Sequence, residues 1–93
     1  MPLKIAALRR AVQSVHGCAA EHLQSTLVHE VRDGRTLWSG QVEIFRLTGH
    51  ETADRAYAWV HKDDAAEHYV SVLNLPPINS ASDAVQRVLA KAV

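Results

Sequence analysis

The chain is poor in the features that usually announce a function. It has one cysteine, Cys18, so no intrachain disulfide can form, and a reducing compartment is expected. No apolar run approaches the ~20 residues that cross a bilayer as a helix. The start, Met1-Pro2-Leu3-Lys4, lacks the basic-then-apolar order of a secretory signal, which points to the cytoplasm. An excess of one charge is missing as well: ten Lys+Arg balance ten Asp+Glu. Proteins that hold nucleic acid through its phosphates carry a basic excess, so the composition argues against that class. There is no G-x-S-x-G, no P-loop and no H-E-x-x-H, so the common hydrolase, nucleotidase and metalloprotease signatures are absent.

What is there belongs to one globular domain. Ninety-three residues leave no room for a second, and 47% hydrophobic with 22% charged residues is the balance of a chain that folds. A chain of this length buries somewhat over ~60% of its unfolded surface, which leaves little volume for an enclosed pocket. Six histidines make its net charge responsive between pH 5 and 7.

Residues 3–16 read as a helix, with Ile5, Leu8, Val12 and Val15 on one stripe and Lys4, Arg9, Arg10 and Gln13 away from it. Pro2 suits its start and Gly17 its stop. A second helix is predicted over roughly 81–92, with Ala81, Val85, Val88, Leu89 and Ala92 as its apolar stripe. Ser80 is its N-cap, and Asp83 stands three residues on, where a capping box carries Glu. Arg87 and Lys91 form a like-charged i,i+4 pair near its outer face.

The middle is strand-like. Asp33-Gly34 is a two-residue hairpin turn. Folding about it pairs Val31 with Thr36, His29 with Trp38, Leu27 with Gly40, Ser25 with Val42 and Leu23 with Ile44. After Ile44 the apolar parity changes, because Phe45 and Leu47 fall on the other side. A bulge near 43–45, or a strand end buried on both faces, accounts for that. A loop over 48–55 follows, then short strands Ala56–His61 and His68–Leu73. Tight pairing sets His61 opposite His68, Trp59 opposite Val70 and Tyr57 opposite Val72.

The expected fold is α+β: a two-layer α-β-β-β-β-α arrangement, with both terminal helices on one face of an antiparallel meander of three to four strands. The other face is then open. On it would lie the aromatic stripe Tyr57 and Trp59 with His61 and His68, a candidate partner surface to which His50 and Arg55 are added. The ordinary alternative is that Tyr57 and Trp59 are core.

Three sets of residues raise chemistry. His16, Cys18, Glu21 and His22 have ligand-type side chains, but Gly17 breaks the helix that would align them. His61 and His68, with Asp63, Asp64 and Glu67 between them, read as a solvated turn with a histidine on each side. His50 and Glu51, with Arg55, have acid, base and anion-binding side chains but no nucleophile nearby. The sequence therefore implies no catalytic residues, no cofactor and no metal.

Two resemblances add to this. Trp38-Ser-Gly-Gln-Val-Glu-Ile-Phe-Arg-Leu-Thr-Gly-His50, then Ala53-Asp-Arg-Ala-Tyr-Ala-Trp59 and Val72-Leu-Asn-Leu-Pro-Pro-Ile78, resemble a group of small, uncharacterised bacterial proteins. That likeness covers roughly residues 28–80 and carries no activity across. The helix–antiparallel sheet–helix order is similar to the double-stranded RNA-binding domain, which would imply RNA binding. That family opens its last helix with lysines, whereas Asn79-Ser80-Ala81-Ser82-Asp83 stands here, and its Gly-Pro-x-His loop is missing. The reading is a non-catalytic module for a protein partner or self-association, without nucleic acid or membrane. Duplex RNA binding is the second alternative and a small metal protein or enzyme the third.

Overall fold

The computed structural model describes residues 2–62 and 66–92. The order is α1 (Pro2–His16), β1 (Ala19–Arg32), β2 (Arg35–Thr48), β3 (Arg55–Lys62), β4 (Glu67–Leu73) and α2 (Ala81–Ala92). The strands form one antiparallel sheet in sequence order, with β1 and β4 at its edges. The α+β class, the four-stranded meander and both helices agree with the sequence reading. No helix among the described residues is long and apolar enough to cross a membrane.

Local chemistry sets the boundaries. α1 stops at Gly17, whose amide donates to the Gln13 carbonyl at 2.9 Å. Asp33 and Gly34 both take positive φ, 53° and 76°, as a type I′ turn requires. At α2 the Ser80 hydroxyl accepts from the Asp83 amide at 3.1 Å, and the Asp83 carboxylate accepts from the Asn79 amide at 3.0 Å. The capping box therefore forms, with its acid reaching one residue further back than expected.

The two helices lie on opposite faces of the sheet, which corrects the two-layer expectation. β2 is apolar on both sides: Val42 and Ile44 point one way, Phe45 and Leu47 the other. β3 continues the pattern with large Tyr57 and Trp59 on the first face and small Ala56 and Ala58 on the second. A sheet with two apolar faces needs two covers. Ala81, Ala84 and Val85 of α2 cover the first, together with Ile78. Leu8 and Val12 of α1 cover the second, where the alanines leave room for the helix. Phe45, Val12, Val42 and Val85 are the largest fully buried side chains. Each contributes roughly 1.5–3 kcal/mol by leaving water.

Two stripe assignments change. Val15 is 66% exposed, because the row facing the sheet runs from buried Leu8 and Val12 to half-buried His16, one turn apart. In α2 the buried row includes Ala84.

The β1–β2 register also departs from the expected one. Val31 pairs with Thr36, as the turn demands, but Leu37 is then skipped and Glu30 faces Trp38. From there the ladder is one residue off the expected pairs: Val28 faces Gly40 and Thr26 faces Val42. A second shift at Leu23 restores the balance. Slipping one residue turns a strand over, so Val28 enters the core and Leu27 does not. Beyond the turn, β1 and β2 run 14 residues each against 8 for β3, and β2 pairs with β3 only over Glu43–Arg46. The hairpin therefore projects past the four-stranded part, and the molecule measures 40 × 29 × 21 Å. By contrast, β3 and β4 pair as expected, His61 with His68, Trp59 with Val70 and Tyr57 with Val72.

Trp38 lies over Gly40, its neighbour on the same face. A Cβ at Gly40 would stand 2.9 Å from the indole ring, so glycine is what admits the aromatic there. The ring also packs at 5.9 Å from that of Trp59.

Candidate functional site

Tyr57, Trp59, His61 and His68 alternate onto one sheet face, as expected, but α2 covers that face at Tyr57 and Trp59, and His50 and Arg55 lie in and beside the β2–β3 loop. Tyr57 and Trp59 are 3% and 2% exposed and form the floor beneath α2, so neither is available to a partner. Burial pushes the Tyr57 phenol above its ordinary pKa; Arg55 opposes that shift, and Asp83 and Asp54 add to it. Arg55 is exposed at the start of β3, where its amide donates to the Asn74 side chain at 3.2 Å and its carbonyl accepts from the Asn74 amide at 3.1 Å. Asn74 also donates to Asp54 at 2.8 Å, so this end of β3 is fastened to the segment after β4.

His61 and His68 are exposed at the other end of the hairpin, their rings stacked at 6.4 Å and 28°. Asp63 and Asp64, which the sequence sets between them, lie outside the described residues. His50 sits in the loop between β2 and β3. Its Nδ1 accepts from the amides of Thr52 and Ala53 at 3.2 and 3.0 Å, which ties it to the turn rather than to a reacting group. Its ring meets that of His16 edge-on at 6.2 Å. His16 Nε2 is 2.8 Å from the Ser71 hydroxyl, so the end of α1 is anchored on β4. Burial, and then the nearby His50, hold the His16 imidazole below its ordinary pKa. Cys18 is half-buried against the α1 side of the core. Among the described residues no three His, Cys, Asp or Glu side chains come close enough to share a metal ion.

One polar cluster is assembled by no sequence expectation; of its members the sequence reading names only His22 as a candidate ligand. Glu43 is 4% exposed, on the face that α1 covers. Its Oε1 accepts from His22 Nε2 at 2.8 Å and from the Ser25 hydroxyl, and its Oε2 accepts from Gln41 at 2.7 Å. Serine, histidine and glutamate are thus together, but not as a nucleophile and its base. The serine proton and the imidazole both turn to the same carboxylate oxygen, which leaves no base on the hydroxyl. The arrangement satisfies a buried acid and ties β1 to β2. Its sequence signal is an acid set among the apolar residues Val42, Ile44 and Phe45.

β1 is an edge strand of the sheet, with no strand on its outer side. Between the register shifts at Leu23 and at Leu37, the segment Gln24–Glu30 is regular. Leu27 stands at its middle, on the same face as Ser25 and Glu43, and is 81% exposed. On the other face, Gln86 of α2 donates to Glu30 at 3.0 Å. An open groove of about 570 Å³ runs there between α2 and the hairpin tip, lined in part by Val31, Leu37 and Leu89. β1 carries no lysine and no proline, the residues that commonly blunt an edge. The neutral chain adds no net repulsion between copies. Comparison with protein-family models, with curated proteins and with solved structures finds no match to this chain.

Proposed function

We propose that the chain is a small non-catalytic association module that works through the open edge of β1. One observation carries this reading: a regular seven-residue edge, Gln24–Glu30, with Leu27 81% exposed at its middle. An unpaired strand edge offers a row of amides and carbonyls to another strand, and an exposed leucine adds apolar area to that contact. The satisfied state of Glu43 and the wide scatter of His50, Arg55 and the His61–His68 pair support association over catalysis. Zero formal charge and an aspartate at the start of α2 weigh against a phosphate-binding role.

Sedimentation velocity over a wide range of protein concentration tests the reading. The weight-average mass rises with concentration, and His29→Pro suppresses the rise, because the alternation of the ladder turns the His29 amide outward from β2. A strict monomer throughout the range refutes it.

A further inference from the structure

We infer that the occupant of the β1 edge is a second copy of the same chain, paired antiparallel about a two-fold axis that passes beside Leu27. The inference rests on the association reading above and adds its partner and its geometry.

The argument begins with symmetry. When a strand pairs with its own copy about an axis perpendicular to the sheet, residue i faces a residue on the same side of the sheet, and both positions are equidistant from the centre. The regular segment runs from Gln24 to Glu30, and its centre is Leu27. An axis at Leu27 uses all seven of its residues. An axis at Thr26 or Val28 keeps only five within the regular segment, and one at Ser25 keeps three. The remaining pairs would fall on the shifts at Leu23 or beyond Glu30, where the ladder is uneven.

Chemistry selects the same centre. About Leu27, Gln24 faces Glu30 of the second copy, an amide against a carboxylate. Ser25 faces His29, two polar groups, and Thr26 faces Val28, two β-branched side chains that suit adjacent strands. Leu27 meets its own counterpart, and two leucines that are each 81% exposed cover one another. No like charges stand opposite each other. The product is a continuous sheet of eight strands in which each α2 remains on its own face and each Leu27 lies on the α1 face. The contact is isologous and uses up the free edge of both copies, so it closes at two.

Site-directed cross-linking tests the axis. In a Cys18→Ser background, single cysteines are placed at exposed positions Leu27, Ser25 and Gln24, and the fold of each variant is checked by circular dichroism. Residues directly opposite in an antiparallel pair have Cα atoms ~4.5–5.5 Å apart, within disulfide range. Two copies of Ser25 are offset by four residues, or ~13 Å, and lie outside it. Under mild oxidation Leu27→Cys gives at least ~10-fold more covalent dimer than Ser25→Cys. Gln24→Cys does not cross-link alone but does so when mixed with Glu30→Cys. Leu27→Lys, with the native cysteine restored, weakens dimerisation at least ~10-fold by facing two ammonium groups. If the wild type associates but Leu27→Cys does not cross-link preferentially, the two-fold pairing is wrong while the association reading stands. A wild type that stays monomeric overturns both.

Discussion

Removing the Glu43 carboxylate is the sharpest probe of how the sheet is held on its α1 side. The acid accepts three hydrogen bonds, from His22, Ser25 and Gln41, while only 4% of the residue is exposed. A hydrogen bond to a charged group contributes ~1.5–3 kcal/mol net, so three taken singly would sum to well over ~4 kcal/mol. Two effects reduce that figure. Ser25 and Gln41 are exposed and His22 is half-buried, so water replaces the lost acceptor for each donor. Deleting the acid also recovers the desolvation it suffers on folding. Glu43→Ala is therefore expected to cost about 2 kcal/mol. With a urea slope of ~1 kcal/mol per molar for a chain this small, the unfolding midpoint falls by ~2 M. Glu43→Gln keeps the volume and one acceptor oxygen, and the exposed Gln41 amide can turn to face the new NH2. It should cost ~1 kcal/mol. The stability order is wild type, Gln, Ala, measured by urea unfolding at neutral pH. An alanine variant within ~0.5 kcal/mol of wild type, or a glutamine variant worse than alanine, refutes the view that this carboxylate ties β1 to β2.

Two other perturbations have defined directions. Gly40→Ala places a methyl 2.9 Å from the Trp38 indole and lifts the ring off β2, away from Trp59. The overpacking cost of ~1–3 kcal/mol exceeds the ~0.5–1 kcal/mol that alanine gains over glycine in backbone entropy, so thermal stability drops and the tryptophan emission shifts to the red. His16 titrates with a lowered pKa, because burial and then His50 disfavour its charged form. A depressed folded pKa means that the stability held above the unfolded value, about 6.5, is lost as pH falls through the folded value. The melting temperature should therefore fall between pH 7.5 and pH 5, and His16→Gln should flatten that fall; an unchanged slope in the variant would exclude His16 as its source.

Most of the fold could be read in the sequence, and the reason is local. Pro2, Gly17, Ser80 and Asp33-Gly34 each act over a few residues, and the elements they bound fall where expected. The β3–β4 pairing also follows, because alternation over Tyr57–His61 is unbroken. The placement of the helices did not follow. The change of parity between Ile44 and Phe45 was visible, but it allows either a bulge or burial on both faces, and only three-dimensional packing decides. The hairpin register was missed beyond Val31 for a related reason: the skip at Leu37 leaves no mark in residue type, yet it turns over every side chain that follows. The candidate site fared worst. The sequence leaves Tyr57 and Trp59 either on a bare sheet face or in the core, and the core reading holds because α2 occupies that face. Leu27 and Glu43 escaped notice because their roles depend on that register.

The meander has one further consequence, for the order in which the molecule is made. Every sheet neighbour is also a neighbour in sequence, so the strands can zip as they emerge from the ribosome. The helices close over long separations instead: His16 reaches Ser71 across 55 positions, and Gln86 reaches Glu30 across 56. A chain whose sheet has formed but whose α2 has not yet docked leaves Tyr57 and Trp59 wet, and it stays adhesive until Ala84 and Val85 cover them.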